Sequence, residues 1–133
     1  MNLSDKKCPC GIKLNYDSCC GMFHQDIKLA KTAEQLMRSR YSAFTIANGE
    51  YLQLSHHSKT RPNKKELKDL IKWTKSVQWV KLEVLKTEKG QENDKEGTVE
   101  FRAYFFRNGK LDVIHEKSIF LRDSTYWVYF KAR

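Results

Sequence analysis

GTVEFRAYFFR-NG-KLDVIHEKSIFLR, residues 97–122, decides the fold. Two runs rich in β-branched and aromatic residues flank Asn108-Gly109, the dipeptide favoured by a two-residue hairpin turn whose central residues take positive φ. The stretch predicts two antiparallel strands, Gly97 to Arg107 and Lys110 to Arg122. With that turn, Arg102 faces His115 and Phe101 faces Glu116. Outward from the hairpin, Val77 to Lys86 and Thr125 to Lys131 have the same composition and read as strands, while the charged segment 89–96 reads as a loop. Asp123-Ser124 offers the next turn, which would pair Phe120 with Trp127, Ser118 with Tyr129 and Glu116 with Lys131. Alternation then puts Phe101, Ala103, Phe105, Ile114, Ser118, Phe120, Trp127 and Tyr129 on one apolar face, with Glu116 as its acid. Arg102 and His115 take the other face.

The first half of the chain has a different period. Thr32 offers an N-cap with Gln35 three residues on. From Ala33 to about Ala47 the apolar residues 33, 36, 37, 41, 44 and 47 keep helical spacing, and Asn48-Gly49 stops the helix. Glu50 to His57 fits a short second helix. Pro62 is placed to open a third, running to about Lys75 with Leu67, Leu70, Ile71 and Trp73 inward. Helices first and antiparallel strands after imply an α+β domain over residues 32–133, its helices packed on one face of a strongly curved antiparallel sheet.

The chain has 133 residues, enough for one domain with a small appendage. Hydrophobic residues make up 40% and aromatics 12%, which excludes an intrinsically disordered chain. No apolar run is long enough for a membrane-spanning helix. Met1 to Lys7 lacks the apolar core of a signal peptide, so the expected location is cytoplasmic, with reduced cysteines. The net charge of +9 suits an anionic partner, and equally suits a Lys-rich surface kept for solubility. Lys64, Lys65, Lys68, Lys72 and Lys75 are spread along one helix as a solvated face. They do not point to a specific nucleic-acid site.

All four cysteines fall between Cys8 and Cys20, as Cys8-Pro9-Cys10-Gly11 and Cys19-Cys20-Gly21. Thiolate is a soft ligand, and four of them complete a tetrahedral shell around Zn²⁺. Pro9 and Gly11 allow a tight turn between ligands, and Gly21 relieves crowding after the vicinal pair. Residues 1–22 hold too few apolar groups to fold alone, so metal would supply the folding energy of this module. Disulfides fit a leaderless chain poorly, and a Cys19–Cys20 bridge would be strained. Residues 22–31 read as a connector. The body, with no cysteine in its core, is expected to stay folded when Cys19 and Cys20 are replaced.

These cysteines, with Tyr16 between them, closely resemble the SEC-C motif, although Ile12, Lys13, Leu14 and Asn15 replace its usual Ser-Gly and lysines. The run from Leu36 to Phe44, with Tyr51-Leu52, His57, His115 to Phe120 and Trp127 to Tyr129, resembles the YchJ-like family. That family joins a SEC-C motif to a domain like nuclear transport factor 2, often with a second SEC-C motif at its C-terminus. The resemblance implies zinc, docking to a protein or ribosomal partner, and a cone of helices and bent sheet around a cavity. The family usually has Asp-Gly where this chain has Lys131-Ala132, which replaces a possible carboxylate pair by opposite charges.

The hairpin pairing and the resemblance place Arg38 or Arg40, Tyr41, His57, Glu116 and Tyr129 around that cavity. Arg38 and Arg40, two apart, cannot share a helix face, so one is inside and the other outside. Glu116 needs a partner on an apolar face, for which Lys131, Arg38 and Arg40 are candidates. Removing it from an ion pair would cost roughly 3–5 kcal/mol. Two functions compete: an interaction adaptor docking through the zinc module, and a small-molecule-binding protein or enzyme using the cavity. No clear catalytic pair emerges, which favours the adaptor.

Overall fold

A computed structural model describes residues 6–133; the first five residues of the N-terminal segment lie outside the described residues. Four strands follow the helices: β1 (Gln78–Lys89), β2 (Glu96–Arg107), β3 (Lys110–Asp123) and β4 (Tyr126–Ala132). They form one antiparallel sheet in the order β1-β2-β3-β4. The central hairpin has the expected register, Phe101 opposite Glu116 and Arg102 opposite His115. Asn108 and Gly109 take φ of 53° and 77°.

The last hairpin is displaced by two residues from the expected register. Asp123 pairs with Tyr126, Arg122 with Trp127 and Phe120 with Tyr129. The turn is therefore Ser124-Thr125, with Ser124 at φ 65°. Asp123 stays in the strand, where its carboxylate accepts the Ser58 N–H at 3.0 Å. An even shift preserves the face assignment, so Trp127 and Tyr129 still point inward. A bulge between Ile119 and Phe120 then sets Lys131 opposite Ile119, and the ladder ends at Ser118 and Ala132. Glu116 consequently has no partner on β4. Two further bulges interrupt β1, at Trp79/Lys81 and Val84/Lys86. Such insertions bend a strand and deepen its twist, which curves the sheet around the helices.

Four α-helices precede the sheet: α1 (Cys20–Gln25), α2 (Ala33–Thr45), α3 (Gly49–Leu54) and α4 (Lys64–Ser76). Thr32 caps α2 by accepting the Gln35 N–H, while the Gln35 side chain accepts from Lys31 rather than from Thr32. At the start of α4 the cap is Asn63, in a full capping box with Glu66, one residue beyond Pro62. The N-terminus of α2 rests on the β1–β2 loop through Ala33 N–H to the Gly90 carbonyl, 2.8 Å. Only glycine fits there: a Cβ on Gly97 would lie 2.4 Å from the Gly90 Cα.

The core joins α2 and α3 to the inner sheet face, with Leu36, Leu52, Val99, Phe120, Trp127 and Val128 fully buried. Phe23, Ile27 and Ala30 belong to this same core. The expected connector is thus helical and packed: α1 is followed by a 3₁₀ turn at Ile27–Leu29. On α4 only Thr74 is fully buried, while Leu67 and Ile71 pack half-buried against the core and Trp73 meets Trp79 and Phe105 of the sheet edge-on. No helix among the described residues is long and apolar enough to cross a membrane.

Candidate functional site

Residues 7–15 double back as a small knuckle, with Lys7 bridged antiparallel to Asn15. Gly11, at φ 94°, makes the turn after Cys10, a conformation costly for any residue with a Cβ. A 3₁₀ turn at Tyr16–Ser18 then delivers Cys19 and Cys20 to the start of α1. Gly21 is obligatory here because a Cβ would meet the Tyr16 carbonyl at 2.7 Å. The result brings the sulfurs of Cys8, Cys10, Cys19 and Cys20 within 4.8 Å of one another, all four buried. Cys10 Sγ and Cys19 Sγ are 3.6 Å apart. A tetrahedral zinc thiolate site with metal–sulfur bonds of about 2.3 Å separates its sulfurs by about 3.8 Å. The donor set fits that geometry, and the cluster can hold a metal ion.

Its electrostatics favour a cation. Donation from the Cys10 and Cys20 side chains pulls the Cys8 thiol far below its usual range. Burial pushes Cys19 up to about 12, and Cys20, hydrogen-bonded to Cys10 and Cys8, is pushed up as well. One thiolate thus forms readily while Cys19 and Cys20 hold their protons more tightly. A bound divalent ion displaces those protons and satisfies all four sulfurs.

The knuckle is fastened to α2 by side chains that hold no metal. Arg38 Nη1 donates to the Cys10 carbonyl at 2.8 Å, and its Nε donates to Glu34 at 2.9 Å. Cys8 Sγ lies 3.5 Å from Ser42 Oγ. His24 reaches from α1, its Nε2 at 2.8 Å from the Ser39 carbonyl. A carbonyl only accepts, so Nε2 carries the proton and Nδ1 accepts from the Tyr16 hydroxyl. Burial lowers the His24 pKa and keeps the ring neutral. The sequence reading missed His24; its position four residues past Cys20 was the available signal.

A second concavity, about 390 Å³, lies between α2, α4 and the inner sheet face. Arg40, Tyr41, Glu116 and Tyr129 line it, together with His56, Ser118, Trp73, Trp79 and Phe101. Of the expected residues, His57 is elsewhere, and of the Arg38–Arg40 alternative it is Arg40 that lines the cavity. Arg38 points to the knuckle, because α2 turns residues 38 and 40 to opposite sides. His57 is replaced by its neighbour: a parallel bridge sets His56 against Tyr129 at the edge of β4, flanked by hydrogen bonds from His57 N–H to Tyr129 and from Tyr129 N–H to Ser55, so the adjacent histidines point to opposite sides. His57 stands edge-on to Phe130, with centroids 5.2 Å apart, while His56 stands edge-on to Tyr129 at 5.0 Å and lines the cavity.

Arg40 is 8% exposed. Its Nη1 donates to the Leu52 carbonyl at 3.0 Å and Ser55 Oγ at 2.8 Å. Its guanidinium sits 4.8 Å from the centre of the Tyr129 ring. Desolvation lowers its pKa to about 10, so it stays charged at neutral pH. Glu116 Oε2 accepts from the Ser118 hydroxyl and, at 3.3 Å, from the Tyr129 hydroxyl. Among the described residues no cation ion-pairs with Glu116 or carboxylate with Arg40. The expected partners of Glu116, namely Lys131, Arg38 and Arg40, are thus replaced by two hydroxyls.

Comparison with known proteins places these features in context. Residues 32–132 match the family model described as YchJ, middle NTF2-like domain. The UPF0225 protein of Photorhabdus laumondii is 45% identical over 124 residues, covering 92% of this chain and 77% of its own. The UPF0225 protein of Streptomyces coelicolor is 43% identical, with 92% and 90% covered. Among solved structures, a SEC-C motif containing protein from Rhodopseudomonas palustris superposes with a TM-score of 0.84 at 28% identity, covering 96% of this chain and 98% of that one. Another, from Psychrobacter arcticus, gives 0.82 at 28% identity, with 98% and 84% covered.

Proposed function

Because the chain belongs to the YchJ-like family, with its NTF2-like domain, we propose that it is a zinc protein whose N-terminal knuckle docks onto a protein partner, free or ribosome-borne. The thiol cluster carries the reading. Four soft donors within 4.8 Å of one another select zinc over the hard cations, which prefer oxygen. The site is closed, with every ligand from the chain and every sulfur buried, as in structural rather than catalytic zinc centres.

The docking half rests on what the knuckle exposes. Ile12, Leu14 and Met22 are 38%, 47% and 40% exposed, beside Lys6, Lys7 and Lys13. Apolar residues ringed by lysines suit a partner with an acidic rim and an apolar centre. Holding these side chains on a metal-braced turn lowers the ordering cost of binding. The reading is of an adaptor in the cytoplasm.

Capture from cell lysate tests it. A variant carrying Ile12→Asp and Leu14→Asp keeps all four ligands and should keep its zinc, yet should lose the proteins or ribosomes that the wild type retains. Chelation should abolish the same capture. Retention of the same partners by the zinc-replete double variant would refute docking through the knuckle.

A further inference from the structure

We propose that the cavity between α2, α4 and the sheet binds a small apolar 2-hydroxy or 2-amino acid, its carboxylate on Arg40 and its hydroxyl or amino group on Glu116. This goes beyond the zinc-module reading and does not depend on it. The volume, about 390 Å³, falls in the range of roughly 300–1,000 Å³ usual for small-molecule sites. Its walls are mainly apolar and aromatic, including Phe44, Trp73, Trp79, Phe101 and Ile114. Against them stand Arg40 and Glu116, which do not ion-pair with each other; the third charged lining residue, Glu66, spends its carboxylate on the Asn63 N–H at the start of α4.

Arg40 has five N–H donors and spends only Nη1 on the protein. Nε and Nη2 have no protein acceptor among the described residues. Glu116 receives both of its hydroxyl donors on Oε2, which leaves Oε1 without one. Among the described residues the one sealed polar side-chain atom lacking a partner is Gln53 Oε1. The free atoms of Arg40 and Glu116 are therefore not sealed, and both residues line this cavity.

The two charges define the ligand. A buried guanidinium fork presents two parallel donors, which matches a planar carboxylate. Glu116 in the same cavity opposes a dianion such as a phosphate monoester, and accepts a donor group adjoining the carboxylate. His56, its pKa lowered to about 4 mainly by burial and by Arg40, is neutral at pH 7 and adds no charge. A monoanion or zwitterion with one donor and an aryl or branched body matches Arg40, Glu116 and the aromatic walls.

Phenyllactate is a suitable probe, with phenyllactamide lacking the carboxylate and 3-phenylpropanoate lacking the hydroxyl. Each is titrated into the full, zinc-replete chain, following Trp73 and Trp79 fluorescence and amide chemical shifts. The expected result is saturable binding of phenyllactate, with shifts at the cavity, and affinity lower by at least about tenfold for each control. Arg40→Gln should remove the preference for acid over amide. Arg40 also ties α2 to α3, so Ala103→Leu, which fills the cavity from β2 without touching either charge, provides a second variant. It should melt cooperatively and bind no phenyllactate. Absence of saturation up to millimolar concentration, equal affinity for acid and amide, or undiminished binding by folded Ala103→Leu would overturn the proposal.

Discussion

Individual side chains in this protein are decided by which way a helix or an extended segment turns them. Arg38 and Arg40 illustrate it: two positions apart, one grips the knuckle and the other closes the cavity. The sequence foretold the split but not the allocation, because the knuckle's open carbonyl at Cys10 has no signature in the chain. Replacing Arg38 by Met should cost about 1.5–3 kcal/mol, the usual worth of hydrogen bonds made by a charged group. It should also hasten zinc loss to a chelator, which a colorimetric zinc indicator reads directly. Glu116 should behave more mildly than an ion-paired acid. Glutamine still accepts from Ser118 and Tyr129, so Glu116→Gln should shift denaturant-derived stability by no more than about 1 kcal/mol. His56 gives a pH signature. Its folded pKa of about 4 lies below the ordinary histidine value near 6.5. Stability from its neutral ring is then complete above about pH 6.5 and is lost as pH falls toward 4. Melting temperatures measured from pH 7 to 4.5 should fall less steeply for His56→Gln than for wild type.

Whole elements were more legible than their joints. The Asn108-Gly109 turn fixed β2 against β3, because a two-residue turn leaves a single pairing and the alternating face confirms it. Ser124-Thr125 lacks that chemistry, and the acceptance of the Ser58 N–H by Asp123 came from a distant loop that local sequence cannot announce. The bulges in β1 and beside Phe120 were equally silent, since a bulge is an insertion relative to a partner strand. The convergence of Cys8, Cys10, Cys19 and Cys20 was readable from soft donors clustered around turn glycines. The cavity was only half readable, because its lining depends on how α4 lies across the sheet. The segment after Cys20 shows where local reading failed most: α1 has six residues, too short to persist alone, yet it carries Phe23 into the main core. Loss of metal should therefore unravel α1 and loosen the body, contrary to a body that ignores its cysteines. Amide exchange of the Cys19→Ser, Cys20→Ser variant should show protection lost from residues 20–29 and weakened at Leu36 and Tyr51, with the sheet hairpin least affected.

At the scale of the molecule, a closed thiol cluster and an open, oppositely charged cavity share α2 as a common wall. Arg38, Ser42 and the Ser39 carbonyl face the first, while Met37, Arg40, Tyr41 and Phe44 face the second. The surface beside the thiol cluster at one side and the pocket beneath α4 at the other are the two places that the proposed recognition would use. Positive charge assists such recognition without specifying it, so capture through the knuckle should weaken, not vanish, as ionic strength rises. All of this rests on metal at the four cysteines. Elemental analysis of the chain purified without added metal, compared with its Cys19→Ser, Cys20→Ser variant, is the most direct measurement. One zinc per wild-type chain and none in the variant is the predicted result; equal zinc in both, or wild-type protein folded with no metal at all, would contradict it.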